Sequence, residues 1–190
     1  MSPTPLERVL ASIDLANGQD PNLFDGEPLA LVQGRAASRW LAQLDASASS
    51  ELQLAVRAHH LRRWELKRTD YPEGRAGYLR WRKDNKAHQA DSLATLMEAD
   101  GWAANAVDRA RLLLGRTKLR TDAETQTLED AACLVFLETQ FASMVEQTDH
   151  DHLVAIVAKT LKKMSPSAAI LAGSISLSPP ARAVLQDASA

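Results

Sequence analysis

The strongest apolar stretch of this chain, residues 128–145, reads LEDAACLVFLETQFASMV. Asp130, Leu134 and Leu137 follow one another at spacings of four and three residues, so they share one face of a helix. No convincing run of alternating apolar and polar residues, the pattern of a half-buried strand, occurs here or elsewhere in the sequence. The stretch therefore predicts a buried helix in a helical protein.

The same helical period extends along the chain and predicts an all-α fold with a single domain over residues 1–164. Loops are predicted at residues 19–27 and 67–77, where Asp-Pro, Asp-Gly and Gly residues cluster. Residues 165–190 contain three prolines and are predicted to form a C-terminal segment on the surface. The other predicted helices cover residues 5–16, 28–44, 51–64, 78–99, 105–114 and 152–164.

Composition narrows the class of protein. The 190 residues are 45% hydrophobic and 24% charged, with a formal net charge of -2, which is typical of a soluble globular protein. A single cysteine, Cys133, excludes an internal disulfide and a Cys-rich zinc site. The first residues lack the pattern of a signal peptide, and no stretch approaches the roughly 20 apolar residues of a membrane span. We expect a cytoplasmic protein without membrane contact.

The charge is concentrated in one segment, residues 57–83, which holds nine Lys or Arg residues against Glu65, Asp70 and Glu73. Guanidinium groups bind phosphate oxygens in pairs, and aromatic rings stack on bases, so the segment is a candidate phosphate site. An alternative is a solvated helix face whose arginines pair with acidic residues elsewhere. The candidate phosphate ligands are Arg63, Arg68, Arg75 and Arg82. The candidate stacking residues are Trp64, Tyr71, Tyr78 and Trp81.

Histidines and carboxylates suggest a second kind of site. His60 ends an apolar run, His88 lies early in a predicted helix, and Glu129 and Asp130 lie in the apolar stretch. Imidazole nitrogens and carboxylate oxygens together can hold a divalent metal ion such as Mn, Fe, Zn or Ni. The alternative is that His60 is a hydrogen-bonded core residue and that no metal binds.

Glu138 interrupts an otherwise apolar run, where an unpaired carboxylate costs several kcal/mol. It requires either a metal ion or a partner such as one of the many arginines.

Three motifs resemble a known family: HLRRW at residues 60–64, DYPEGRAGYLRWR at 70–82 and QTLEDAACLVFLE at 126–138. They are similar to the domain-of-unknown-function family 4202, whose members are sometimes labelled glutamyl-tRNA synthetase-related. The resemblance covers about residues 6–164 and implies no particular activity.

A looser similarity links the order of His60, His88 and Asp130 to the HD superfamily of all-α proteins, many of them metal-dependent phosphohydrolases. The adjacent His-Asp pair that names the superfamily is absent here. The similarity implies an HD-like fold, with a metal that polarises a phosphoryl oxygen and with Glu65 or Glu138 as general base.

Two classes of function remain open from the sequence. One is recognition of a small, nucleotide-like phosphorylated ligand, with metal-dependent hydrolysis as its catalytic form. The other is a non-catalytic module that uses residues 57–83 to bind a nucleotide, an RNA end or another protein. The negative net charge argues against extended contact with duplex nucleic acid, and the sequence leaves the oligomeric state open.

Overall fold

The structure is a computed structural model that describes residues 2–119 and 121–189. Within these residues the all-α prediction is confirmed, since ten α-helices and one hairpin of two-residue strands make up the regular structure. The hairpin consists of β1 (Leu23–Phe24) and β2 (Glu27–Pro28). The helices are α1 (Pro5–Asn17), α2 (Leu29–Leu44), α3 (Ser50–Arg57), α4 (Gly74–Ala99), α5 (Ala104–Gly115), α6 (Ala123–Thr139), α7 (Phe141–Val145), α8 (His150–Leu161), α9 (Pro166–Ala172) and α10 (Pro179–Ser189).

Helix α6 lies at the centre of the fold and packs against α2, α3, α5, α7 and α9. Its apolar residues are almost fully buried, among them Leu128, Leu134 and Leu137. The long α4 packs along α5, and α8 packs along α10. The apolar stretch is not one helix as predicted, because Gln140 leaves the helical conformation and separates α6 from α7.

The first turns of several helices follow simple capping chemistry. Thr4 accepts a hydrogen bond from the backbone N–H of Glu7, and the Glu7 carboxylate accepts one from the Thr4 backbone N–H at 2.7 Å. Pro5 occupies the first turn of α1, where its missing N–H costs nothing. The sequence therefore placed this helix within one residue of its observed ends.

The segment after α3 differs from its prediction. Helix α3 ends at Arg57 rather than at residue 64, and the chain continues through turns to a 3₁₀ turn at Arg63–Glu65. Nδ1 of His59 lies 2.9 Å from the carbonyl oxygen of Val56, so the imidazole satisfies one carbonyl of the last helical turn. Arg62 adopts a left-handed conformation that redirects the chain. The backbone bonds continue here as turns of three residues in place of the α-helical pattern, and the His59 side chain adds a bond to the end of α3.

Three further segments hold structure where none was predicted. Residues 67–77 contain a 3₁₀ turn at Arg68–Asp70 and the start of α4, which begins at Gly74 rather than at residue 78. Residues 19–27 contain the hairpin, because Asp25 and Gly26 both take the positive φ angles of a tight two-residue turn. Residues 165–190 include α9 and α10, whose inner faces bury Ala168, Ala181 and Val184. No helix in the part of the chain that the structure describes has the length and apolar character to cross a membrane.

Candidate functional site

A cavity of about 670 Å³ opens beside α4, α6 and α8. The segment that follows α3 closes it on one side, and residues after α5 and around α7 complete the wall. Its volume lies within the range of pockets that bind small molecules. We call it the cationic cavity.

The lining of this cavity is strongly basic. Among the described residues that line it, six are Arg or Lys and one is a carboxylate, Glu129. Arg82 and Lys86 are four residues apart on α4, so both lie on the helix face that meets the cavity. The six cationic residues are Arg63, Arg82, Lys86, Arg116, Lys159 and Lys163.

The single carboxylate neutralises only part of this charge. Glu129 accepts a hydrogen bond from Nη1 of Arg116 at 2.7 Å, and its other oxygen lies 3.9 Å from Nζ of Lys163. Burial raises the pKa of Glu129, but the surrounding cations outweigh burial and hold the pKa below its usual value. Within residues 2–119 and 121–189, the other four cationic side chains have no carboxylate oxygen within 4.0 Å.

Two of these four cations rest on aromatic rings. The Arg63 guanidinium carbon lies 4.6 Å from the centroid of the Trp81 ring, and that of Arg82 lies 5.8 Å from the Tyr78 ring. The Trp81 indole is itself fixed, because its N–H donates to the carbonyl oxygen of Leu66 at 2.8 Å. The rings position the guanidinium groups without neutralising them.

Lys86 is shifted toward neutrality. Burial first, and then the charges of Arg116 and Arg82, lower its pKa to about 8, although Glu129 acts in the opposite direction. Its ammonium group is thus held in a partly buried environment in which positive charge outweighs the negative charge of Glu129.

His59 and His60 present two neutral imidazoles to the cavity. Burial lowers the pKa of His59 to about 3 and that of His60 well below its usual value. Their rings stack with centroids 4.1 Å apart. A carbonyl oxygen can only accept, so Nδ1 of His59 carries the proton that is donated to Val56. Nε2 of His59 is left as a buried acceptor with no partner among the described residues.

His60 has the same tautomer. Its Nδ1 bonds to Oε1 of Gln33, whose amide nitrogen donates to Thr139 at 3.2 Å. Nε2 of His60 is therefore also an acceptor. Three other cavity residues carry a buried polar atom with no hydrogen-bond partner in the described protein: Oδ1 of Asn85, Nε2 of Gln89 and Nε of Arg116. Because an unpaired buried polar atom costs about 1–3 kcal/mol, this set favours a polar occupant.

Six of the residues singled out from the sequence line this cavity. They are Arg63, Arg82, Tyr78, Trp81, His60 and Glu129. Sequence reasoning missed Lys86, Arg116, Lys159 and Lys163. The recurrence of Arg82, Asn85, Lys86 and Gln89 at spacings of three, one and three could have indicated a polar buried face on α4.

The remaining candidates lie elsewhere. Glu65 faces His88, with 2.9 Å between the carboxylate and Nε2. Glu138 accepts hydrogen bonds from Arg39 and from the Trp40 indole, both at 2.7 Å, so the alternative of an arginine partner is confirmed.

The other arginine and aromatic candidates take part in local contacts. Arg68 donates to the carbonyl oxygen of Tyr71 at 3.0 Å, whereas Arg75 is exposed at the start of α4. Trp64 is half-buried in the 3₁₀ turn that follows α3.

The four predicted metal ligands each have a different environment. His88 pairs with Glu65 and Glu129 with Arg116, whereas Asp130 accepts hydrogen bonds from the Gln126 amide and the Ser165 backbone N–H. No group of three or more His, Cys, Asp or Glu side chains suited to a metal ion occurs in the described residues. The divalent metal stays a prediction from the sequence.

Comparison with known proteins identifies the family. The model of the family described as Domain of unknown function (DUF4202) matches residues 7–185. The chain belongs to this family. The DUF4202 match extends through α9 and most of α10, beyond the residues on which the resemblance rested. No curated protein and no solved structure matches the chain, so the HD-like similarity stays a prediction.

Proposed function

We propose that this DUF4202 protein binds a small phosphorylated ligand of nucleotide size, with its phosphate in the cationic cavity. The observation that supports the proposal is the lining of six Arg or Lys side chains against one carboxylate. Four of those cations have no carboxylate partner in the described residues, so a bound anion meets charge that the protein has not already neutralised.

The chemistry of the lining favours phosphate over a monovalent anion. Three of the cations are arginines, whose planar guanidinium groups match pairs of phosphate oxygens. A phosphate monoester carries close to two negative charges at pH 7, so it can accept from several of these donors at once. Partial burial strengthens each contact, because water screens the charges less inside a cavity than on the surface.

The charge distribution favours a small ligand over a nucleic acid duplex. The whole chain has a net charge of -2, and the six clustered cations line a concave cavity. A duplex presents its phosphates along an extended convex surface and is bound by an equally extended basic face.

Hydrolysis is not included in this proposal. The two predicted general bases, Glu65 and Glu138, are absent from the cavity lining, and each is paired with a side chain outside it. The proposed role of the cavity is recognition.

Calorimetric titration of inorganic phosphate into the purified protein tests the proposal. We expect saturable binding that weakens about tenfold to a hundredfold in Arg82→Gln, because a charge-assisted hydrogen bond contributes about 1.5–3 kcal/mol. Arg80→Gln is the matched control, since Arg80 lies two residues away on α4 but is exposed and outside the cavity. Equal affinity in the two variants would contradict the proposal.

The pH dependence of binding gives an independent prediction. A bound dianion favours protonated Lys86, so it raises a pKa that is about 8 in the free protein. Phosphate affinity is therefore expected to be level between pH 7 and 8 and to fall as the pH rises further. Lys86→Gln is expected to bind more weakly and to lose the decline between pH 8 and 9.5. A decline of the same size in the variant would assign the titration to another group.

A further inference from the structure

A second cavity of about 460 Å³ adjoins the cationic cavity. The two have four lining residues in common, His60, Arg63, Trp81 and Gln140. The two cavities lie side by side at these residues, so a ligand that spans both would pass them. We call the second space the tryptophan cavity, because the Trp64 indole forms part of its wall.

The tryptophan cavity differs from its neighbour in chemistry. Its lining includes Trp64, Leu29, Ala30 and Leu66, which offer aromatic and aliphatic surface. Its carboxylate, Asp20, is occupied by the protein, since it accepts hydrogen bonds from the Asn22 and Ala30 backbone N–H groups at 2.9 and 3.0 Å.

The amide of Gln33 is likewise committed, to His60 and Thr139. Arg68 donates to the carbonyl oxygen of Tyr71. The surface left for a ligand in the tryptophan cavity is mainly apolar, and Arg63, Lys67 and Thr69 add polar groups to its wall.

His60 stands at the boundary of the two cavities. Its neutral ring, with the proton on Nδ1 directed to Gln33, leaves Nε2 as an acceptor. An acceptor at this position suits a hydroxyl donor that lies between an anionic group and a planar group. The hydroxyls of a ribose occupy that place in a nucleotide.

We propose that the ligand is a nucleotide whose phosphate lies in the cationic cavity, whose ribose lies at His60 and whose base lies in the tryptophan cavity against Trp64. This inference rests on the proposed function and specifies its ligand. The volume of the tryptophan cavity agrees with it, because about 460 Å³ lies within the range of about 300–1,000 Å³ for pockets that bind small molecules.

A graded series of probes tests the inference on the wild-type protein. Inorganic phosphate, ribose 5-phosphate and adenosine 5′-monophosphate add the sugar and then the base to a constant phosphate. We expect affinity to rise at each step, with the base adding about tenfold to a hundredfold, the range of base stacking on aromatic side chains. We also expect adenosine monophosphate, but not ribose 5-phosphate, to quench tryptophan fluorescence.

Two variants of one residue assign the base to the tryptophan cavity. Trp64→Leu is expected to remove most of the advantage of adenosine monophosphate over ribose 5-phosphate, whereas Trp64→Phe keeps a planar ring and much of that advantage. Trp102→Leu is the matched control, because Trp102 contacts neither cavity. The readout is the ratio of the two affinities, since loss of folding weakens all three probes alike.

The outcomes separate the two proposals. If phosphate and ribose 5-phosphate bind but adenosine monophosphate binds no tighter than ribose 5-phosphate, the base site is wrong and the phosphate site stands. An affinity ratio that Trp64→Leu leaves unchanged overturns the placement of the base as well. If none of the three probes binds, both proposals are wrong. If a Trp64 variant fails to fold, the wild-type titrations still test whether the base adds affinity.

Discussion

Gly77→Ala is expected to lower the free energy of unfolding by about 3 kcal/mol, at the upper end of what overpacking a folded protein usually costs. A Cβ at this position would lie 1.8 Å from the carbonyl oxygen of Pro72 and 2.7 Å from its carbonyl carbon. Both obstacles are backbone atoms, which cannot rotate away as a flexible side chain can. Either the turn before α4 or the first turns of the helix must move.

The same substitution is expected to weaken phosphate binding. The first turns of α4 carry Tyr78, Trp81 and Arg82 into the cationic cavity, and Trp81 also supports Arg63. A shift of these turns moves three lining residues together and changes the support of Arg63, so the loss of affinity should exceed that of Arg82→Gln alone.

Thermal unfolding and phosphate titration of the same preparation measure both effects. Gly115→Ala is the matched control, because a Cβ there meets only the methyl group of Thr117 at an ordinary 3.7 Å. That variant should unfold at or slightly above the wild-type temperature, since alanine favours a helix over glycine. An unchanged unfolding temperature in Gly77→Ala would show that the turn at Pro72 adjusts freely.

The sequence predicted the helical class because burial imposes a period that is visible without a structure. It failed at particular helix ends, and His59 shows the reason. After α3 the backbone changes to turns of three residues and the imidazole bonds back to the carbonyl oxygen of Val56, although the apolar pattern continues. The 3.6-residue period contains no information on such bonds.

The site was predicted in part for a related reason. Arg63, Tyr78, Trp81 and Arg82 were found because they lie close together in one basic and aromatic segment. Arg116, Lys159 and Lys163 come from other parts of the chain, and only the fold brings α8 and the segments after α5 and α8 to the same cavity as α4. A single sequence does not show which helix faces pack against one another.

The predicted metal ligands raise the same difficulty, because the order of histidines and carboxylates in the sequence does not show which side chains meet in the fold. Glu129 was predicted as a metal ligand, and in the structure it bonds to Arg116, a residue at the end of α5 that no sequence spacing connects with it. A buried carboxylate requires a partner such as a cationic side chain, but the fold determines which residue provides it.

Glu129→Gln is expected to change stability and affinity in opposite directions. The carboxylate and the Arg116 guanidinium are both largely buried, with side chains 8% and 14% exposed. Removing one charge of such a pair leaves the other without compensation and costs roughly 3 kcal/mol. Phosphate affinity should rise at the same time, because Arg116 and Lys163 then lack their only carboxylate neighbour among the described residues.

Thermal unfolding with and without phosphate links the two effects. A ligand that binds only the folded state stabilises it in proportion to the logarithm of its concentration over its dissociation constant. Phosphate should therefore raise the unfolding temperature more in Glu129→Gln than in the wild type. Glu138→Gln is the matched control, because Glu138 pairs with Arg39 outside the cavity, and its loss should destabilise the protein without altering the response to phosphate.

The expected effect of Glu129→Gln on phosphate binding follows from the role of Glu129 in the free protein. Six cations around one cavity repel one another, and Glu129 is the carboxylate in the described lining that limits this repulsion. A phosphate ligand adds two further negative charges at the same place, so it takes over the stabilising role of the missing carboxylate in the variant. If phosphate stabilises Glu129→Gln less than the wild type, Glu129 helps to hold the ligand and is not a competitor for its cations.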